Sequence, residues 1–344
     1  MCCRGPAMLR NIPIKIKTIG TAVLFIGIFS YGLWGCSGAP DTARQPLEKV
    51  NLGLSWIHQA QFSGEYYADQ YGIYEKEGID ITLVPAQIDR DPLQDLIDGK
   101  LDFVIAQPDT LAKARTTGAQ IKAIAATYRI HPLVFCSLPE SNIKKPQDFI
   151  GKTVGVAYSE EIILRAMLKQ MDIDADLVNI TERGYNFDDL LSGKLDAQGA
   201  WITDEVQTAQ RQGIAFQWIS PVDYKVTFYA DVITTTEDRI QNNPELVERF
   251  LRATLEGWQK AIEDPEENSR LALLYAEDLS PLHEQDVLDS SLPLIHTGVD
   301  HIGWMKTADW EEMYKVLIEV GTVNDTISSE DLYTMEFLNK IYND

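Results

Sequence analysis

The chain has 344 residues, 45% of them apolar, and a formal net charge of −22. That length supplies two domains of ordinary size or one large one, and that apolar share a full hydrophobic core. The charge sets nucleic acid and anionic membrane aside as main partners of the folded part and reads as a solvated acidic surface.

The first 36 residues stand apart: they hold Arg4, Arg10, Lys15 and Lys17 and no acid, so the remainder carries −26. Within "TIGTAVLFIGIFSYGLWGC" the apolar run of about 15 residues is short for a membrane span. A basic start, an apolar centre and small residues at the end make a secretory signal. "LWGC" resembles the lipoprotein signal box, which would make Cys36 the first mature residue and its lipid site; stable anchoring then takes more than one acyl chain. A retained anchor helix is the alternative. Cys2 and Cys3 lie in the leader and Cys36 is taken as the lipid site, so Cys136 stands alone in the exported body; neither a disulfide within it nor a thiolate metal site is expected. Residues 37–49, "SGAPDTARQPLEK", read as a flexible tether.

From residue 50, strands and helices alternate. "VNLGLSW", "IDITLVPA", "LDFVIAQ" and "IKAIAATY" read as strands, and "SGEYYADQYGIYEKEG", "DPLQDLIDG" and "PDTLAKARTTG" as helices, the last two stopped by Gly. This alternation predicts βαβ units and a mostly parallel sheet. After Leu138 the series restarts, with strands "TVGVAYS", "DLVNIT", "LDAQGAW" and "AFQWIS" separated by helices. One phrase recurs at the same stage of both series: Gly-Lys-Leu-Asp at 99–102 and again at 193–196, 94 residues on. The repeat predicts two α/β lobes of one plan. "YADVITTTEDRI" then gives one strand, and from Pro244 onward the apolar spacing is helical. These helices have no strands of their own and are expected to dock on the first lobe.

The resulting division is a leader with its lipid site (1–36), a tether (37–49), a first lobe (50–137 with 230–344) and a second lobe (138–229), the chain crossing twice, near 138 and near 229. Ligands of open α/β sheets bind beyond the carboxyl ends of strands, so two such lobes on a two-strand hinge enclose a cleft, with "AQPDT" on one jaw and "GAWITDE" on the other.

"LSWIHQAQFSGEYYADQYGIYEKEGIDITLV" resembles the N-terminal signature of thiamine-pyrimidine-type solute-binding proteins and the related hydroxymethylpyrimidine synthases, matching at Trp56, Gln61, Gly64, Tyr66, Gly72, Tyr74, Glu77 and Gly78. "DPLQDLIDGKLDF", "YRIHPLVF", "DFIGKTVGV", "SPVDYKVTFYADVITTTE" and "NPELVERFLRATLEGWQKAIEDPEE" extend the likeness over roughly residues 50 to 275; residues 276–344 carry no motif that can be placed. The resemblance implies a type II periplasmic-binding fold, a small heteroaromatic solute held between the lobes and delivery to the permease of an ABC importer. A monomer on the outer face of the membrane, tied to it by lipid alone, fits this reading.

The residue chemistry is consistent. Trp56 ends the first strand and offers a flat apolar face, against the alternative of a core Trp. Gln61 and Gln107 each carry donors and an acceptor, suiting a ring with amino groups and ring nitrogens, although either serves equally as a loop cap. Asp109 could contact ligand or cap the helix after "AQP". On the second lobe Tyr158, Tyr185, Asn186, Trp201 and Glu205 are candidates, Asn186 also as an N-cap and Glu205 also as a first-turn acid favoured by the helix dipole. Tyr224 and Tyr229 lie at the return crossing.

Two departures bear on function. The pyrimidine synthases use a loop His, a Lys for pyridoxal phosphate and a cysteine-rich segment; here Phe62 stands at the loop position, with His58 four residues away. An enzyme of that kind is therefore not expected, nor a cofactor. Phe62 also opens the alternative of another flat solute such as riboflavin. His131, His283, His296 and His301 show no metal-ligand spacing, and no nucleotide loop or nucleophile elbow is present. A ligand-sensing module feeding a receptor is a further class, without a partner visible in the sequence.

Overall fold

The computed structural model describes residues 46–87 and 90–343, with the side chain of Tyr158 excepted. The leader, Cys36 and most of the tether lie outside the described residues. The fold begins inside the expected tether, because β1 (Glu48–Gly53) takes its last two residues as strand.

The chain then runs through α1 (Ser63–Gln70), α2 (Ile73–Lys76), β2 (Ile79–Val84), α3 (Pro92–Ile97), β3 (Phe103–Ala106), α4 (Pro108–Thr116) and β4 (Ile121–Tyr128). The expected single helix over 63–78 is two, broken at Gly72, whose φ of 67° is left-handed. Next come β5 (Leu133–Ser137), β6 (Thr153–Val156), α5 (Tyr158–Gln170), β7 (Asn179–Glu182), α6 (Asp188–Leu191), β8 (Ala197–Trp201), α7 (Glu205–Arg211), β9 (Gln217–Ile219) and β10 (Ala230–Thr236). The chain ends in α8 (Glu237–Asn242), α9 (Pro244–Ala261), α10 (Pro265–Ser269), α11 (Pro281–Ile295), α12 (Thr307–Glu319) and α13 (Glu336–Asn343).

Two five-stranded sheets result, ordered β2-β1-β3-β10-β4 and β7-β6-β8-β5-β9. Three neighbours in each are parallel and the fourth strand is antiparallel, β10 in the first sheet and β5 in the second. The sheets are thus mixed, with four of the five strands in each running one way, in keeping with the mostly parallel expectation: the strand that runs against them enters straight from a crossing, with no intervening helix. The lobe boundary moves for the same reason. β5 pairs with β8 and β9, so residues 133–137 belong to the second lobe and the chain crosses at 129–132 rather than near 138. The return runs from 220 to 229.

The repeated phrase has the same structural content in both lobes. Gly99 and Gly193 adopt left-handed φ values of 73° and 77° and end α3 and α6. Leu101 and Leu195 then pack where a Cβ on Gly53 of β1 or Gly155 of β6 would stand, 2.6 and 2.5 Å away. Asp102 accepts from the Asn51 backbone N–H at 2.7 Å, and Asp196 from that of Thr153 at 2.9 Å. Each phrase therefore fastens a helix end to the second strand of its own sheet, β1 or β6. Asp102 also pairs with Arg239 at 2.5 Å, so Asp102→Ala is expected to cost about 2 kcal/mol, seen as a lower urea midpoint at unchanged slope.

α9 carries the core of the first lobe. Its buried stripe includes Leu246, Val247, Phe250, Leu251 and Trp258, and Phe250 stacks on Phe103 of β3 with centroids 3.8 Å apart. It approaches α1 through glycines: a Cβ on Gly64 would lie 2.2 Å from the Trp258 ring, and one on Gly257 2.2 Å from the Gly64 carbonyl oxygen. That contact fixes the turn 59–62 ahead of α1, which faces the cleft. Among the described residues no helix is long and apolar enough to cross a membrane.

Candidate functional site between the lobes

The carboxyl ends of β1 and β3, the start of β10 and the turn 59–62 form the first jaw; the loop 183–187 and the segment from Trp201 to α7 form the second. Trp56 follows β1 and is 38% exposed, so it is a surface ring and not a core one. Tyr185, 72% exposed, faces it from the other lobe, with centroids 5.6 Å apart and planes 50° off parallel. The Tyr185 loop is held rigidly from behind. Arg183, almost wholly buried, forks onto Glu160 at 2.5 Å and onto Glu205 at 2.7 Å, and its guanidinium lies 5.9 Å from the Tyr185 ring centre. Trp201 sits deeper, edge-on to Tyr128 and His131 at 6.4 and 5.6 Å. His131 accepts from the Leu133 N–H, and burial pushes its pKa down to about 3, so it stays neutral at the hinge.

On the first jaw the polar centre is Asp231, 1% exposed, which the sequence reading passed over. One carboxylate oxygen accepts from Ser55 at 2.8 Å and Gln107 at 3.2 Å, the other from Gln61 at 2.8 Å. Its φ of 50° is left-handed, a conformation that costs a non-glycine residue about 1–2 kcal/mol, and burial raises its pKa to about 6. The signal was available as an acid inside an otherwise β-branched strand, "ADVITTT". Gln61 and Gln107 are brought together, with their amide nitrogens engaged by Asp231.

The remaining candidates divide. Asp109 is buried in the first turn of α4 against the backbone N–H groups of Thr110 and of its own residue, with burial raising its pKa to about 6; it serves the helix start. Asn186 stands one residue ahead of the N-cap of α6, Phe187, and closes a turn there, bonding Asp188 through both ends of its amide. Glu205 has both oxygens taken, by Arg183 and by the Trp201 N–H at 2.6 Å, which corrects its reading as an acceptor for ligand. Phe62 is 1% exposed and edge-on to Tyr66 in the core, because the turn ahead of α1 rolls it inward. Tyr229 is also buried: it donates to Asp309 at 2.7 Å and accepts from the Lys306 N–H, so it ties the return crossing to α12 rather than lining the cleft. Tyr224 is half-buried against the core. Tyr158 heads α5; its side chain lies outside the described residues. Cys136 is free and buried.

A second set of contacts joins the lobes beside the aromatic pair. Asp204, on the second jaw, accepts from Gln59 at 3.2 Å and pairs with His283 of α11 at 3.0 Å. One turn along, Arg211 pairs with Asp286 and donates to the Leu282 carbonyl at 2.7 Å. Glu284, between them on α11, accepts from the Ala60 N–H at 2.6 Å. The first turns of α11 therefore grip the 59–62 turn of one lobe and α7 of the other. The bond to Asp204 raises the His283 pKa above its ordinary value, with Glu284 and Asp286 adding to it and burial opposing. A base with a raised pKa contributes most below its unpaired value, near 6.5, and loses the contribution as pH rises through the paired one. Ligand affinity is accordingly expected to fall as pH is raised from about 6 to 8, and Asp204→Ala to weaken binding about tenfold and flatten that profile. Calorimetric titration across this range checks both.

Two mixed sheets on a double crossing define the class: this is the type II periplasmic-binding fold. The periplasmic aliphatic sulphonate-binding protein SsuA from Escherichia coli shares it at a TM-score of 0.68 and 15% identity, over 83% of this chain and 92% of that one. The chain belongs to the NMT1/THI5-like family, whose profile matches residues 59–268. It is 25% identical to a formylaminopyrimidine-binding protein of Halalkalibacterium halodurans over 93% of this chain and 98% of that protein. It is 24% identical to the riboflavin-binding protein RibY of Chloroflexus aurantiacus over 88% and 90%.

Proposed function

We propose that this chain is the extracytoplasmic solute-binding component of an ABC importer, exported by its leader, anchored through lipid on Cys36, and acting as a monomer. It captures a flat heteroaromatic solute of the aminopyrimidine class between its lobes and presents the closed form to a permease. The observation that carries this reading is the pair of exposed rings, Trp56 and Tyr185, set opposite each other from different lobes. A flat ring between them needs planes about 7 Å apart, twice the optimal carbon contact, a small opening of the present 5.6 Å approach. Around them stand the acids Asp204 and Asp231 and, behind Tyr185, Arg183 paired with Glu160 and Glu205. No lysine amine stands among the residues described there, as the synthase chemistry would need.

A riboflavin-type solute in the same cleft is the second reading, favoured by the near-equal likeness to a riboflavin-binding protein. Titration of the leader-free protein with 4-amino-5-hydroxymethyl-2-methylpyrimidine and, separately, with riboflavin tests both. Heat and quenched tryptophan fluorescence with the pyrimidine support the first reading, and the same with riboflavin alone supports the second. Silence with both overturns the transport role.

A further inference from the structure

Gln61 and Gln107 reach the cleft floor from different elements, yet their amide heads meet at one carboxylate. Among the described residues the hydrogen bonds of both amide heads run through Nε2: Gln61 to Asp231 at 2.8 Å and to Ser55 at 3.3 Å, Gln107 to Asp231 at 3.2 Å. An ionised carboxylate only accepts, and the three donors gathered on Asp231, from Ser55, Gln61 and Gln107, favour that form against the burial that opposes it. Turning either amide over would set its Oε1 against a carboxylate oxygen in a buried site, replacing a charge-assisted hydrogen bond with repulsion. Each glutamine is thereby locked in one of its two orientations. Ser55 is locked with them, its hydroxyl hydrogen committed to Asp231 at 2.8 Å.

We infer that Asp231 is the positioning residue that sets the hydrogen-bond polarity of the cleft floor: by drawing in the N–H ends of Gln61 and Gln107 it leaves their Oε1 atoms as acceptors, so that the site selects a ring bearing an amino group over the same ring bearing an oxo group. This rests on the solute-binding reading above. Asp231 acts through the glutamines and does not itself meet the ligand, since it is 1% exposed; Gln61 is 5% exposed, and Gln107, half-buried after the end of β3, is the more accessible of the two amides. Its place fits the role: it is the second residue of β10, directly after the return crossing, and holds a left-handed backbone there while its carboxylate reaches β1, the 59–62 turn and the end of β3.

The test compares two probes that differ at one atom, 4-amino-5-hydroxymethyl-2-methylpyrimidine and its 4-oxo counterpart, by calorimetric titration. The wild-type protein is expected to prefer the amino ring by at least about tenfold, the scale on which a site built for one hydrogen-bond polarity rejects the other. In Asp231→Asn the new side chain has one acceptor and one donor group, so only one glutamine keeps its orientation; the amino-over-oxo ratio is expected to drop about tenfold while the oxo ring binds as well as before or better. Gln107→Leu removes one acceptor and leaves Asp231 in place, and the same ratio is expected to fall; this variant decides the matter if Asp231→Asn does not fold. An unchanged ratio in the folded variants, with the wild type binding the amino ring, overturns this inference alone. A wild type that binds neither probe nor riboflavin overturns the solute-binding reading and this inference with it.

Discussion

Trp56→Ala is expected to weaken binding of the aminopyrimidine about thirty-fold, while leaving the thermal unfolding midpoint of the ligand-free protein nearly unchanged. The ring is one wall of the proposed sandwich, and a tryptophan at the centre of a desolvated contact typically costs 2 kcal/mol or more when truncated, about thirty-fold in Kd. Stacking geometry adds about 0.5–1.5 kcal/mol to the area term. Folding owes the ring little, because it is 38% exposed and its contact is with another exposed ring. Trp56→Phe keeps a flat face and is expected to lose only a few-fold. Since the two rings share one guest, the Trp56 and Tyr185 truncations are expected to be less than additive in a double-mutant cycle. Titration calorimetry reads the outcome, and a Kd within about twofold of wild type in the alanine variant would remove the aromatic sandwich from the argument.

The largest effect on stability is expected from Gly257→Ala. The added methyl would stand 2.2 Å from the Gly64 carbonyl oxygen and 2.8 Å from the Ala68 Cβ. Neither is the free end of a flexible side chain, so α1 and α9 must separate. Overpacking usually costs 1–3 kcal/mol and here falls at or beyond the upper end, which for a chain of this size lowers the unfolding midpoint by about 5 °C. Thermal unfolding followed by circular dichroism measures it, and a midpoint within about two degrees of wild type would mean that the helices yield cheaply. Affinity is expected to suffer as well, because α1 carries the turn that places Gln59 and Gln61.

The lobes were legible in the sequence because the code for them is local. Gly-Lys-Leu-Asp at 99–102 and at 193–196 specifies a helix stop, a packing leucine and a strand clamp within four residues, and alternating strands and helices follow from periodicity. Strand β5 was put on the wrong lobe because "LVFCS" is equally apolar whichever sheet receives it; pairing partners are a property of topology. Trp56 could be placed at the cleft from its position after a strand. Phe62 and Tyr229 could not be told apart from cleft residues, since an aromatic near a crossing has the same signature whether it turns inward or outward. The inter-lobe pair of Asp204 and His283 leaves no trace in the sequence at all, as its members come from α7's approach and from α11, elements that meet only after both lobes have formed. Asp231 was the one missed residue with a readable mark.

Strand order has a consequence for the course of folding. The second sheet is complete once residue 219 exists, for β5 to β9 are contiguous. The first sheet is not: among the described residues β4 pairs on one edge with β10 and is bridged on the other by Gly303 and Tyr333, all later in the chain, and Phe103 has no Phe250 to stack on until α9 has been made. The half of the molecule synthesised first is therefore the half that closes last. Strands β1 to β4 therefore wait for their closing partners until nearly three-quarters of the chain has been translated.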